Sequence, residues 1–162
     1  MRQAALLRSD KGLGTPGTDR KKAKSVAAAT GVSPVIDDRK DHFVVRNGVR
    51  CAGVHLIVDL YEAEGLADID LIDAALRKCV AAAGATLLHL HLHHFEPNGG
   101  VSGVAVLAES HISIHSWPEA NYAALDVFMC GEAKPEACIP VLREAFKPKR
   151  IVVGEHLRGQ GA

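Results

Sequence analysis

Alternation between apolar and polar positions becomes regular only after about residue 43. Val54–Leu60 is apolar and rich in branched side chains, which predicts a strand. After the turn residues Glu62–Gly65, Asp68 stands where a helix N-cap belongs. Ile69, Ile72, Leu76, Cys79, Val80 and Ala83 then follow helical spacing, and Gly84 occupies the C-terminal cap position. Thr86–Phe95 and Val101–Ala108 read as two strands joined by Pro97-Asn98-Gly99-Gly100 as an antiparallel hairpin. Ile112–Trp117 and Tyr122–Met129 continue the extended pattern, interrupted at Pro118. A second helix is expected over about Pro135–Phe146, with Cys138, Val141, Leu142 and Ala145 on one stripe. Pro140 requires that helix to kink or to start late. Ile151–His156 closes the chain as a last strand.

This order predicts an α+β fold, a two-layer α/β sandwich in which a mainly antiparallel sheet carries two helices on one face. The other sheet face has no helices left to cover it, so self-association is expected.

Composition changes the picture at one end. Residues 1–40 carry nine Lys/Arg against four Asp/Glu and no aromatic residue, whereas residues 41–162 carry ten against fifteen. The first segment cannot bury enough apolar area to offset its ordering entropy. It is expected to be a disordered basic tail, with residues 41–162 forming the folded domain. The mild acidity of that domain argues against nucleic acid as its partner. Cys51, Cys79, Cys130 and Cys138 make neither a CxxC pair nor a disulfide framework. No apolar run reaches the roughly 20 residues of a membrane span, and the N-terminus has no signal-like apolar core. A cytoplasmic, membrane-free protein is expected.

Three features can carry chemistry. Strand alternation puts His89, His91 and His93 on one face, where they can be metal ligands or a solvated surface; no further ligand set accompanies them. The segment Ala108–Glu119 packs serines and histidines closely enough for nucleophilic chemistry, without a GxSxG elbow or a carboxylate that spacing assigns to a triad. Cys130, on local sequence alone, reads as a buried structural thiol.

Taken together, Gly99-Gly100-Val101-Ser102-Gly103, the run Glu109 to Glu119 (ESHISIHSWPE) and the run Tyr122 to Gly131 (YAALDVFMCG) resemble prokaryotic S-adenosylmethionine decarboxylase proenzymes. Gly53-Val54-His55-Leu56 and Gly84-Ala85-Thr86 fit the same pattern, and the resemblance covers about residues 50–158. It implies self-cleavage between Glu109 and Ser110, with Ser110 becoming a covalent pyruvoyl cofactor that holds substrate as a Schiff base. It gives His115 the role of processing base near the Ser110 Cα, Ser102 that of an assisting hydroxyl, and Cys130 that of proton donor to the substrate α-carbon. Phe95 matches a residue that stacks on adenine and Glu119 one that binds the ribose hydroxyls. The plainer readings of these two are a core residue at a strand end and a solvated acid. The implied reaction converts S-adenosylmethionine to its decarboxylated form, an aminopropyl donor for spermidine, in a homodimer or higher homo-oligomer with shared active sites. The implied enzyme holds no metal. A pyruvoyl-dependent arginine or ornithine decarboxylase would share Ser110, His115 and Cys130; a His-rich metal-binding protein is the alternative outside enzymes.

Overall fold

The computed structural model describes residues 42–108 and 110–162. The tail expected at 1–40, and Glu109 at the expected cleavage site, lie outside the described residues.

A short hairpin comes first, β1 (Val44–Arg46) and β2 (Val49–Cys51), and then β3 (Gly53–Tyr61). Helix α1 (Ile69–Ala83) follows, then β4 (Leu87–His94), β5 (Val101–Leu107), β6 (Ser110–Trp117) and β7 (Tyr122–Met129). Helix α2 (Cys138–Phe146) and β8 (Arg150–Arg158) complete the chain. Strands β3 to β8 form one six-stranded sheet in the order β4-β5-β6-β7-β3-β8, and every neighbouring pair is antiparallel.

Period-two alternation decides which side chains go under the helices. Val54, Leu56, Val58 and Leu60 of β3, Ile112 and Ile114 of β6, and Leu125, Val127 and Met129 of β7 are all buried there. The Asp68 carboxylate accepts from the backbone N–H groups of Asp70 (3.1 Å) and Leu71 (3.0 Å), two donors that otherwise lack partners in the first turn. Gly84 ends α1 at φ 72°, a left-handed conformation in which a residue without Cβ is unstrained. Between these caps, Ile72, Ala75, Leu76, Cys79, Val80 and Ala83 form the buried stripe.

The second helix resolves the Pro140 question in favour of a late start. A 3-10 turn spans Pro135–Ala137, and α2 begins at Cys138, which leaves Pro140 in its first turn, where a missing N–H breaks no intrahelical bond. Its buried residues are Cys138, Leu142 and Phe146, while Val141 and Ala145 of the expected stripe are only partly covered. Cys79 and Cys138 face each other between the helices, each thiol directed at the other's carbonyl oxygen at 3.8 and 3.6 Å. The Cys138 thiol and burial together push the Cys79 pKa upward, so Cys79 stays protonated.

Three strands are longer than the apolar pattern suggested, β3 by one residue at each end. β6 starts at Ser110 rather than Ile112, and β8 runs on through Leu157 and Arg158, because ladder bonds to β5 and β3 continue past the apolar residues. The sheet face turned away from the helices presents His55, Ile57, His111, His115, Trp117 and Phe128, a mixture of rings and polar groups. Ile57 and Trp117 on it are 36% and 42% exposed.

Candidate active site

The expected site residues fall into two groups. The first lies where β5 begins and β6 ends. Ser102 and His115 are directly paired across these strands, and the Ser102 hydroxyl oxygen is 2.8 Å from His115 Nδ1. With Phe95, Asn98, Trp117 and Glu119 they line a cavity of about 160 Å3. The loop ahead of β5 is closed by bonds from Phe95 N–H to the Gly100 carbonyl (2.8 Å) and from Gly99 N–H to the Phe95 carbonyl (2.9 Å). The Phe95 ring is 47% exposed and meets His93 edge-on, so it keeps an open face. Glu119 is exposed in the 3-10 turn Pro118–Ala120. Buried Ser116 ties the floor together: its hydroxyl accepts from Val101 N–H and donates to the Leu66 carbonyl, both at 2.8 Å.

Rings brace this end. His115 is 6.2 Å from Trp117, and Trp117 stacks on Tyr122 at 5.3 Å with 29° between planes. The Tyr122 hydroxyl donates to Asp59, and that bond, with some burial, pushes its pKa up to about 12.

The second group lies at the other end of β6. Ser110 is the first residue of that strand, and its half-buried hydroxyl oxygen accepts from the Cys130 backbone N–H at 3.2 Å. Both line a cavity of about 720 Å3 whose walls include the small residues Gly84, Ala85, Ala108, Gly131 and Ala133. Cys130 is partly exposed there, whereas Cys51, Cys79 and Cys138 are buried.

Within one chain the two groups do not meet. Five residues of extended strand separate Ser110 from His115, about 17 Å at the rise of a β-strand. Odd spacing also puts them on opposite faces: Ser110 shares the helix-side parity of Ile112 and Ile114, and His115 that of His111 and Ser113 on the open face. Strand geometry therefore keeps His115, and with it Phe95 and Glu119, apart from Ser110 of the same copy, so these residues do not form one site within a single chain.

A further polar cluster lies on the open face and was not singled out from the sequence. Arg158 donates to His55 Nδ1 (3.1 Å), which leaves His55 Nε2 as the nitrogen that donates to Asp126 (3.2 Å). Ser113 donates to the other Asp126 oxygen at 2.9 Å. His111 packs against His55 and Phe128, and burial, then the nearby His55, push its pKa down while Asp126 opposes the shift. The available signal was histidine at outward-facing positions of β3 and β6, but only the sheet order, which sets both strands beside β7, brings them together.

His89, His91 and His93 are exposed on β4, an edge strand, opposite Val106, Val104 and Ser102. Among the described residues no group of three or more His, Cys, Asp or Glu is arranged to hold a metal ion. Nor is any helix among them long and apolar enough to cross a membrane.

Comparison with known proteins bears on this arrangement. The family model described as S-adenosylmethionine decarboxylase matches residues 54–159. The chain is 49% identical over 112 residues to the S-adenosylmethionine decarboxylase proenzyme of Thermomicrobium roseum, covering 68% of this chain and 97% of that one. It is 49% identical over 110 residues to the proenzyme of the same name from Methanococcus maripaludis, covering 66% and 89%. The crystal structure of the adenosylmethionine decarboxylase from Aquifex aeolicus superposes with a TM-score of 0.60 at 36% identity, covering 67% of this chain and 92% of that one. The chain belongs to the S-adenosylmethionine decarboxylase family.

Proposed function

We propose that this chain is a self-processing S-adenosylmethionine decarboxylase whose site is completed by a second copy of itself. The observation that carries this reading is the separation of the Ser110–Cys130 pair from the Ser102–His115 pair along β6. An antiparallel partner set on the open sheet face would bring the Ser102–His115 pair of one copy alongside the end of β6 at which Ser110 of the other copy stands. The exposed Ile57 and Trp117 on that face support the same association.

Ser110 is suited to cleavage. Its hydroxyl belongs to the first residue of a strand and already has a backbone N–H partner. Attack of Oγ on the Glu109 carbonyl forms an ester and breaks the Glu109–Ser110 C–N bond, freeing the residue-110 amine. The partner copy's histidine at position 115 then takes the α-proton of residue 110. The C–O bond breaks and Glu109 leaves as a carboxylate. Loss of ammonia to water leaves a pyruvoyl group at position 110. For this role His115 carries its hydrogen on Nδ1 and donates it to Ser102 Oγ, so that Nε2 presents a lone pair.

The 720 Å3 cavity around Ser110, whose walls include several small side chains, has room for the pyruvoyl group and the amino-acid end of a substrate. When present, the ketone holds the substrate amine and accepts the electron pair that CO2 leaves behind. Cys130 delivers a proton to the substrate α-carbon from the same cavity. Phe95 stacks its open face on adenine, and Glu119 accepts from the ribose hydroxyls. The product is an aminopropyl donor for spermidine. Four cysteines that form no disulfide among the described residues suit a reducing cytoplasm.

An intact mass spectrum under denaturing conditions tests the cleavage. Two chains are expected, one of residues 1–109 and one beginning at a pyruvoyl group in place of Ser110, with CO2 released from carboxyl-labelled S-adenosylmethionine. A single uncut chain that releases no CO2 would overturn the reading.

A further inference from the structure

The family match begins at Val54, and the β1–β2 hairpin lies ahead of it. Asn47 and Gly48 both have positive φ (52° and 80°), the two-residue turn whose twist suits a tight hairpin. This hairpin is fastened at several points. Arg46 bonds Glu155 of β8 at 2.8 Å and Glu136 of the turn before α2 at 3.3 Å. Arg50 covers the Phe43 ring at 4.0 Å and donates to the Ala162 carbonyl at 3.0 Å. Val44 packs on the core and Cys51 is fully buried.

Its leading end reaches the reactive cavity. The His42 carbonyl accepts from the N–H of Gly131, the residue after Cys130, at 2.8 Å. His42, Phe43, Val44 and Val45 line the same cavity as Ser110 and Cys130, and Val45 is 73% exposed at its mouth. We infer that residues 42–45, held in place by the β1–β2 hairpin, are the access-controlling wall of the Ser110–Cys130 cavity, with Phe43, Val44 and Val45 screening the Cys130 thiol from solvent.

This inference rests on the proposed function for its consequence. A carbanion beside Cys130 is protected from stray protonation only while bulk water is kept out, and an apolar wall also favours conversion of a carboxylate to neutral CO2. The wall itself is a matter of geometry and can be tested without turnover.

The test uses full-length Ser110→Ala protein, which keeps the cavity and cannot cut itself by the proposed route. Alkylation of Cys130 by iodoacetamide is followed by peptide mapping, with buried Cys79 and Cys138 as internal references. Arg46→Ala removes both ion pairs, and Gly48→Val strains the turn. Each is expected to raise the Cys130 alkylation rate by about fivefold, the order of opening that loss of such surface anchors permits. Arg77→Ala, which breaks a pair confined to α1, should leave the rate unchanged. Unchanged Cys130 alkylation in both hairpin variants would overturn the inference. Failure of the wild-type chain to cleave would instead overturn the proposed function and leave the labelling result standing.

Discussion

Ser102 and His115 occupy one cross-strand pair of β5 and β6, with the hydroxyl oxygen 2.8 Å from Nδ1, on the sheet face that the helices leave open. A histidine held through one nitrogen has its other nitrogen aimed, and here it is aimed away from its own chain's Ser110. Loss of the hydroxyl in Ser102→Ala should slow self-cleavage without abolishing it, because the ring loses the partner that orients it but remains in place. Cleavage time courses on denaturing gels check this. In His115→Ala the ester should accumulate, and hydroxylamine should cut it; a hydroxylamine-resistant His115→Ala chain would count against the eliminating role.

Cys130 and Ser110 share a cavity, and the Ser110 hydroxyl accepts from the Cys130 backbone N–H, a bond that loss of the thiol leaves in place. Cys130→Ala should therefore cleave normally and decarboxylate slowly, by about 10²–10⁴-fold for loss of one positioned acid. Full CO2 release from the cleaved variant would return Cys130 to the status of a structural thiol.

Phe95 is braced edge-on by His93 at 4.5 Å and keeps 47% of its surface exposed. Removing it in Phe95→Ala should lower turnover of S-adenosylmethionine at subsaturating concentration while self-cleavage proceeds unchanged. The expected loss is that of one aromatic–base stack, about 1–3 kcal/mol in kcat/KM. Equal turnover by the variant would mean that the adenine is held elsewhere.

His111 provides a pH test of the open face. Its folded pKa lies below the usual 6.5 because burial, and then His55, disfavour the charged ring. Above pH 6.5 the ring is neutral in both folded and unfolded chains and contributes no pH dependence. As pH falls below 6.5 the unfolded chain takes up the proton first, so stability is lost until the lower folded pKa is reached. His111→Asn should lose less Tm than the wild type between about pH 7.5 and about pH 5.5. Parallel curves for the two proteins would show that His111 does not carry this linkage.

Much of the fold was legible because alternation and caps are local signals. Asp68 and Gly84 bracket α1 at the positions their chemistry favours, and Val54 to Leu60 alternates as a strand with one face buried. The family segments from Gly99 to Gly131 were equally legible, since they are contiguous. The separation of Ser110 from His115 within one chain follows from strand spacing, once both are placed on one strand. The β1–β2 hairpin carried an Asn-Gly signal between valine-rich triplets, but three-residue strands offer too little alternation to stand out. The His55–Asp126–Ser113 cluster joins three strands, and only the sheet order β6-β7-β3 assembles it.

The central claim, that Ser110 of one copy is processed by His115 of another, is tested most directly by mixing two inactive chains. Ser110→Ala lacks the nucleophile, and His115→Ala lacks the base, so each alone should remain uncut. Co-expressed and co-purified, they should form mixed dimers in which one site holds an intact Ser110 and an intact His115 from opposite chains. Mass spectrometry should then find the His115→Ala chain cut before residue 110 and the Ser110→Ala chain whole. Mixed dimers in which both chains stay uncut would contradict the account.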